Sequence, residues 1–461
     1  MVHQYQLNGY NIVLDTCSGS VHVVDEVAYD VIAMYPDHTA DEIVAAMMAK
    51  YGDREDVTEA DLRQCIDDVA SLKESGKLWS PDTYENLAFD FKNRNTVVKA
   101  LCLHVAHTCN LNCSYCFASQ GRYQGERALM SFEVGKRAMD FLIENSGSRR
   151  NLEVDFFGGE PLMNFDVVKQ TVAYARSKEK EYGKHFRFTI TTNGMLLDDD
   201  AIDFINKEMY NVVLSIDGRK EVNDRMRVRA DGTGSYDRIV RNFKKLVEKR
   251  GDKEWYVRGT YTKYNLDFSE DVFHLYEQGF DQISVEPVVE DPKVEYAITE
   301  EDLDRICEEY DKLADRLMEL KKNGGFLNFF HFMIDLEQGP CVIKRLRGCG
   351  SGNEYVSITP DGDIYPCHQF VGHEEYCMGN IEEGTFNEEI KKEFAGAHVY
   401  SKPSCQKCWA KFYCSGGCNA NNYIYNGDIH KVHEMSCKIQ RKRLESAILI
   451  KVCEMLEKAN A

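Results

Sequence analysis

Cys109-Asn-Leu-Asn-Cys113-Ser-Tyr-Cys116 puts three thiols within eight residues, spaced C-x3-C-x2-C, behind a strand-like run from Lys99 to Ala106. A cubane iron–sulfur cluster has four irons and is usually held by four thiolates. Three close cysteines with no obvious fourth leave one iron open for a ligand the protein does not supply. Half of a zinc site is the competing reading of the spacing alone. Structural thiols fit less well, because three so close in sequence would each need an apolar niche.

Working outward from this loop, strand-like and helix-like runs alternate. Strands are expected at Lys99–Val105, Leu152–Phe157, Phe186–Thr192, Val212–Ile216, Trp255–Tyr261 and Gln282–Glu286, with amphipathic helices such as Phe132–Glu144, Val167–Tyr182 and Tyr236–Lys249 between them. Six such units predict an α/β fold: a parallel, partial (β/α)6 barrel with functional loops at the strand C-termini. The three-thiol loop follows strand one, where that rule puts chemistry. Gly158-Gly159-Glu160-Pro161 follows strand two; its glycines let backbone approach a ligand closely, and Glu160 can accept from an ammonium. Thr192-Asn-Gly194 ends strand three and Ser215-Ile-Asp-Gly218 ends strand four; each alone is an ordinary turn.

Taken together and in this order, the segments resemble those of the radical S-adenosylmethionine (radical SAM) enzymes. The resemblance implies that Cys109, Cys113 and Cys116 hold a 4Fe-4S cluster whose open iron chelates the amino and carboxylate groups of SAM. It assigns Gly158, Gly159, Glu160 and Pro161 to the methionyl amine. Ser215 and Arg227, the latter in Asn223-Asp-Arg-Met-Arg227, fall to the ribose and carboxylate, and Tyr115 and Val288 to the adenine. A surface ion pair is the plainer alternative for Arg227.

Upstream, residues 1–90 read as a separate unit. Tyr10–Asp15 and Ser20–Asp25 form a plausible hairpin around Thr16-Cys-Ser-Gly19. A helix follows Asp25, Thr39-Ala-Asp-Glu42 and Thr58-Glu-Ala-Asp61 have the form of capping boxes, and Lys77–Ser80 is expected to return as a strand. A hairpin with three helices is winged-helix-like. It resembles the peptide-recognition domain of enzymes that modify ribosomally made peptides, which adds an extended leader to its sheet edge; a dimerisation or lid module is the alternative. This unit holds 18 acidic and 5 basic side chains. A solvated acidic face or a docking surface for a basic partner both suit that imbalance.

Downstream of the barrel, residues 91–290, Thr299-Glu-Glu-Asp302 caps a helix to about Lys322 in a connector, 291–340. The cysteines then return. Cys349 is followed by Gly362 and Cys367, then by Cys405-x2-Cys408-x5-Cys414-x3-Cys418, and finally by Cys437. Residues 341–461 thereby resemble the SPASM domain, which implies two auxiliary iron–sulfur clusters. Cys405, Cys408, Cys414 and Cys437 would hold one, and Cys349, Cys367 and Cys418 the other, with Cys341 a possible fourth ligand and Cys377 a lesser one. If Cys341 stays free, a substrate thiolate can take the open iron. Two zinc sites are the competing reading. Cys17, Cys65 and Cys453 read as packing.

The remaining features bound the function. At 461 residues the chain needs two or three domains. A formal charge of −20 speaks against a nucleic-acid partner, and no apolar run spans a bilayer. Seventeen cysteines without an export signal suit metal ligands in a cytoplasmic protein. At the N-terminus, Leu7–Asp15 and Gly19–Asp30 look like the opening of the SCIFF maturases, radical SAM enzymes that install a thioether in a six-cysteine peptide. That resemblance implies hydrogen abstraction from a peptide α-carbon, a threonine in the SCIFF case, then joining of a cysteine sulfur. It also implies three 4Fe-4S clusters, a small cysteine-rich precursor peptide and an electron donor such as flavodoxin or ferredoxin. Sulfatase-maturing relatives carry an aspartate where this chain has His368, so no general base is assigned. Carbon–carbon crosslinking, epimerisation and a non-catalytic peptide-binding metalloprotein are the alternatives.

Overall fold

The expected alternation forms one parallel sheet, with strands Ala100–His107, Asn151–Gly158, His185–Thr192, Met209–Ser215, Glu254–Tyr261 and Gln282–Pro287 bonded side by side in chain order. The computed structural model describes residues 1–88, 96–123, 125–337 and 342–459. Asn151–Gly158 shows why the sheet faces as it does. Leu152, Val154 and Phe156 join the core, and the residues between them point to the opposite face. Helices Phe132–Asn145 and Phe165–Tyr182 cover the core face with Ala138, Met139, Leu142, Val168 and Val172. Each large apolar side chain buried there is worth about 1.5–3 kcal/mol, which outweighs intrinsic propensity in choosing the face.

Both ends of the sheet run further than the six expected strands. Asn328–Phe329, from the segment read as a connector, adds in parallel beside Gln282–Pro287. On the other flank Tyr355–Ile358 adds in parallel beside Ala100–His107, and Asp363–Tyr365 and Gly379–Asn380 continue the sheet antiparallel. The barrel wall and the cysteine-rich region therefore share one hydrogen-bonded sheet. The capping box at Thr299 and Asp302 is present, and the helix after it, Leu303–Lys322, ends where expected.

At the N-terminus three strands, Val2–Leu7, Tyr10–Asp15 and Val21–Val24, form an antiparallel meander beside helices Glu26–Met34, Ala40–Tyr51 and Glu59–Glu74. Both capping boxes form, Thr39 with Glu42 and Thr58 with Asp61. The extra strand is Val2–Leu7; Lys77–Ser80 is not a strand. The Lys77 and Leu78 amides instead close the preceding helix on the Leu72 carbonyl, and Trp79 adopts φ 50°, which breaks an extended run.

The middle strand is buried on both faces. Val13 packs with the helices, whereas Ile12 and Leu14 pack with Trp409, Leu444 and Ile448 of the C-terminal region. Polar contacts fix this docking. The His3 ring stacks on Trp409 at 4.0 Å and its Nε2 lies 2.9 Å from Glu445. Lys411 Nζ meets Asp82 Oδ2 at 2.7 Å, and the Tyr400 hydroxyl donates to the other oxygen of Asp82 at 2.7 Å. Among the described residues no helix is long and apolar enough to cross a membrane.

Lys411 is only 6% exposed, so removing its charge strands Asp82 in a largely dry contact. Lys411→Met should cost about 1–3 kcal/mol. Faster proteolysis within residues 1–88 at unchanged barrel protection is the expected readout.

Candidate functional site

A cavity of about 380 Å³ opens at the C-terminal ends of the barrel strands. Cys109, Cys113, Cys116, Tyr115, Gly158, Gly159, Glu160, Ser215, Arg227 and Val288 all line it. Pro161 does not; it is buried and opens the short turn Pro161–Asn164. A larger surface hollow of about 680 Å³ lies between Pro292–Glu300 and Tyr425–Met435, but none of the cysteines lines it.

Backbone contact holds the three-thiol loop in place. The Gly159 amide donates to the Ala106 carbonyl at 2.7 Å and the Glu160 amide to the Thr108 carbonyl at 2.9 Å. A Cβ on Gly159 would lie 2.1 Å from the Thr108 oxygen, and one on Gly121 would meet Gly159 Cα at 2.9 Å. The glycines are thus required for close passage of the cysteine loop itself, a role that the reading of Gly158-Gly159 as a ligand cradle did not include. On its other side the loop pairs antiparallel with Arg227–Arg229, which sets Arg227 opposite Cys113.

Glu160 is 1% exposed and accepts three hydrogen bonds: Thr192 Oγ1 donates at 2.7 Å and the Leu162 amide at 3.1 Å to one oxygen, and the Asn193 amide at 2.8 Å to the other. Burial pushes its carboxyl up to about 7 even so. Such a carboxylate gains from a bound cation, as an ammonium-bearing ligand would supply. The Asn193 side chain bonds Asn110 at 2.8 Å, which ties the turn after strand three to the thiol loop.

Arg227 does form an ion pair, although not at the surface. Its Nε donates to Asp217 Oδ1 at 3.0 Å, with the two side chains 11% and 0% exposed. Asp217 also accepts from the Tyr115 hydroxyl at 2.6 Å and from the Thr260 amide at 3.0 Å. Asp217 therefore orients both Arg227 and Tyr115 toward the cavity. It stands inside the quoted Ser215–Gly218 turn, yet nothing in a turn sequence marks which residue is buried.

Of the nine described cysteines in the C-terminal region, seven gather in two groups, and Cys377 and Cys453 join neither. Cys405, Cys408, Cys414 and Cys437 line one small cavity. Cys367 lies close enough to Cys349 and Cys418 for their charges to push its thiol up, after the larger effect of burial. Cys418 also lines the main cavity, so the second group abuts the barrel site. Cys341 lies outside the described residues. Between the groups Lys402 is buried, with Nζ donating to the Gly416 carbonyl at 2.8 Å and to Asn419 at 3.0 Å. Burial lowers its pKa, while the thiols of Cys405, Cys414, Cys418 and Cys437 favour its charge. No periodic signal could have singled out that lysine.

These donor sets fit iron–sulfur groups: thiols gathered at cavity walls, with a buried ammonium beside them to balance anionic ligands. Among the described residues no three Cys, His, Asp or Glu side chains converge tightly enough to grip a single ion.

Residues 103–265 match the radical SAM superfamily, and residues 349–409 match the SPASM iron-sulfur cluster-binding domain. With the parallel sheet and the cavity at its strand ends, these matches define a mixed α/β radical SAM fold followed by a C-terminal SPASM domain. More particularly, the chain is similar to the cysteine-type anaerobic sulfatase-maturating enzyme of Clostridium novyi (strain NT), at 26% identity over 333 residues, 68% of this chain and 85% of that protein. Native anSMEcpe with bound AdoMet and the Cp18Cys peptide aligns at TM-score 0.64 and 20% identity, covering 77% of this chain and 99% of that one. SuiB of Streptococcus suis bound to its precursor peptide SuiA aligns at TM-score 0.52 and 19% identity, covering 93% and 97%. The SuiB likeness thus runs through more of the chain than the maturase likeness does.

Two outcomes follow from the geometry. Gly159→Ala should cost about 1–3 kcal/mol through overpacking and lower the iron retained after anaerobic reconstitution, read by thermal melting and iron assay. Glu160, raised from 4.5 to about 7, binds a proton in the folded chain over a window where the unfolded chain has lost it. Stability then falls as pH rises through that window, by about 3 kcal/mol at most. Urea melts of the cofactor-free chain should be more stable at pH 6 than at pH 8, Glu160→Gln should shrink the difference, and SAM should stabilise more at pH 8.

Proposed function

We propose that the chain is a peptide maturase that links a cysteine sulfur to the α-carbon of an acceptor residue, threonine by preference, in a ribosomally made cysteine-rich peptide. One observation carries this reading: the cavity lined by Cys109, Cys113, Cys116, Glu160 and Arg227 continues to Cys418 and His368 of the SPASM region. A substrate in that cavity would touch both halves of the machinery at once.

Cys109, Cys113 and Cys116 would hold the SAM-binding 4Fe-4S cluster, which together with SAM supplies a 5′-deoxyadenosyl radical able to remove a hydrogen from carbon. Glu160 accepts the methionyl ammonium; Ser215 and Arg227 hold the ribose and carboxylate; Tyr115 and Val288 flank the adenine. Cys349, Cys367 and Cys418 would carry one auxiliary cluster, with Cys341 as fourth ligand or with an iron left open for the substrate thiol. Cys405, Cys408, Cys414 and Cys437 would carry the other. His368, beside the Phe117 and Phe157 rings, is pushed down to about 4 by burial and by Arg258. It is therefore neutral at pH 7, and no base is assigned to it. Residues 1–90 would hold the leader, and a flavodoxin or ferredoxin would deliver electrons. The extended likeness to SuiB, a protein seen with its precursor peptide, supports a peptide substrate.

Anaerobically reconstituted protein should contain about twelve irons, falling to about eight in a Cys109/Cys113/Cys116→Ala variant. With reductant and SAM it should form 5′-deoxyadenosine, and the triple variant none. A six-cysteine peptide of the SCIFF type, with its leader, should lose two hydrogens per link, and one cysteine should resist alkylation. No mass change with an inverted residue would point to epimerisation. A loss of two hydrogens with every thiol still alkylated would point to a carbon–carbon bond. Either result overturns the thioether reading.

A further inference from the structure

The barrel lumen carries a charge that none of the SAM contacts uses. Arg258, in Glu254–Tyr261, and Glu286, in the neighbouring strand Gln282–Pro287, both line the cavity. Opposite charges on adjacent strands would ordinarily close on each other. Glu286 is drawn elsewhere. Arg443 of the terminal helix Glu434–Ala459 approaches its Oε2 at 3.5 Å, and His331 Nε2 lies 3.4 Å from its Oε1. Arg443 is in turn braced by donating Nε to the Tyr310 hydroxyl at 2.7 Å. Burial opposes charge on Glu286, yet His331, Arg443 and Arg258 pull its carboxyl down to about 2. The other carboxyl that feels Arg258 is Asp155, which burial pushes up to about 7 and which Thr191 reaches only at 3.4 Å.

Arg258 is left with no hydrogen bond or ion pair of its side chain among the described residues, and that side chain stays accessible. A guanidinium offers five donors and keeps its charge at any working pH. With no acceptor of the described residues in bonding reach, its donors face solvent and are free to take a bound oxygen in place of water. Its place narrows the choice of ligand. Arg258 pairs across strands with Ser215, and His368, Gln369 and Asn421 of the SPASM region line the same cavity. An oxygen held there belongs to a molecule beside the SAM site.

We propose that Arg258 anchors the peptide substrate, donating to an oxygen acceptor next to the residue that is modified. A main-chain carbonyl and a side-chain carboxylate are two sources of that oxygen. The inference rests on the peptide substrate proposed above and adds to it a residue that binds peptide rather than SAM. The engagement of Glu286 by Arg443 and His331 is what keeps Arg258 open.

The test uses the reconstituted full-length enzyme and the six-cysteine peptide with its leader. R258Q should raise the peptide KM by about tenfold or more, move kcat less and leave SAM affinity in equilibrium dialysis unchanged, as for loss of one charge-assisted hydrogen bond. R258K should recover part of the loss. A peptide with Asn and Gln in place of the Asp and Glu near the linked residue separates the sources. For a carboxylate, it raises the wild-type KM to that of R258Q, and R258Q loses nothing more. For a carbonyl, R258Q loses the same factor on both peptides. An unchanged peptide KM in R258Q, or a matching loss of SAM affinity, overturns the assignment alone. Wild type that cleaves SAM yet leaves the peptide unlinked removes the substrate reading, and the assignment falls with it.

Discussion

The site depends on the close passage of two backbones. Where the first barrel strand runs into the cysteine loop, the Ala106 and Thr108 carbonyls accept from the Gly159 and Glu160 amides of the next strand's end. Continuing a β-ladder past the strand into a loop leaves no room for side chains between the chains, and Gly121 and Gly159 meet that demand. The same contact sets where Glu160 points. Its carboxylate then collects Thr192 and Asn193, and Asn193 returns to Asn110 inside the cysteine loop. Strands one, two and three are thereby locked around a single carboxylate, so the ligand-facing geometry exists before any ligand arrives.

A second constraint acts at a distance. The segment between Cys408 and Cys414 is also the segment on which the N-terminal unit rests, through His3 on Trp409 and Asp82 on Lys411. The side chains between those cysteines thus serve the docking of residues 1–88, while the thiols face the small cavity with Cys405 and Cys437. Movement of the N-terminal unit is thereby coupled mechanically to the loop that bears Cys408 and Cys414.

Much of this was legible in the sequence because it rests on local rules. Strand and helix periodicity located all six barrel strands to within a few residues, and Thr39, Thr58 and Thr299 marked their helices through caps. The cysteine spacings sorted the thiols into groups that share cavities or electrostatic contact. What escaped depended on tertiary contact. Val2–Leu7, reading Val-His-Gln-Tyr-Gln-Leu, is too polar to announce a strand, and pairing with Tyr10–Asp15 makes it one. Tyr355–Ile358 is too short to show a period and is defined by the exposed flank it covers. Lys402 and Arg258 stand in no motif, and Asp217 stands in one that does not single it out; burial and neighbours alone give them meaning. Lys77–Ser80 failed for the opposite reason: an apolar, aromatic run whose amides were already committed to closing a helix.

The parallel pairing of Tyr355–Ile358 with Ala100–His107 has a consequence for the history of such chains. Every residue of Ala100–His107 is buried, and while Ala128–Leu129 pairs with its end at Ala106 and His107, the outer flank of Ala100–Leu103 is covered by a strand contributed some two hundred and fifty residues later. A barrel cut free of its C-terminal third would present that flank as a bare, apolar edge, open to pairing with any passing strand. The cysteine-rich region is therefore no detachable accessory. It is the selvage of the barrel's fabric, and recombination that exchanged it would have had to supply an edge strand along with the new cysteines.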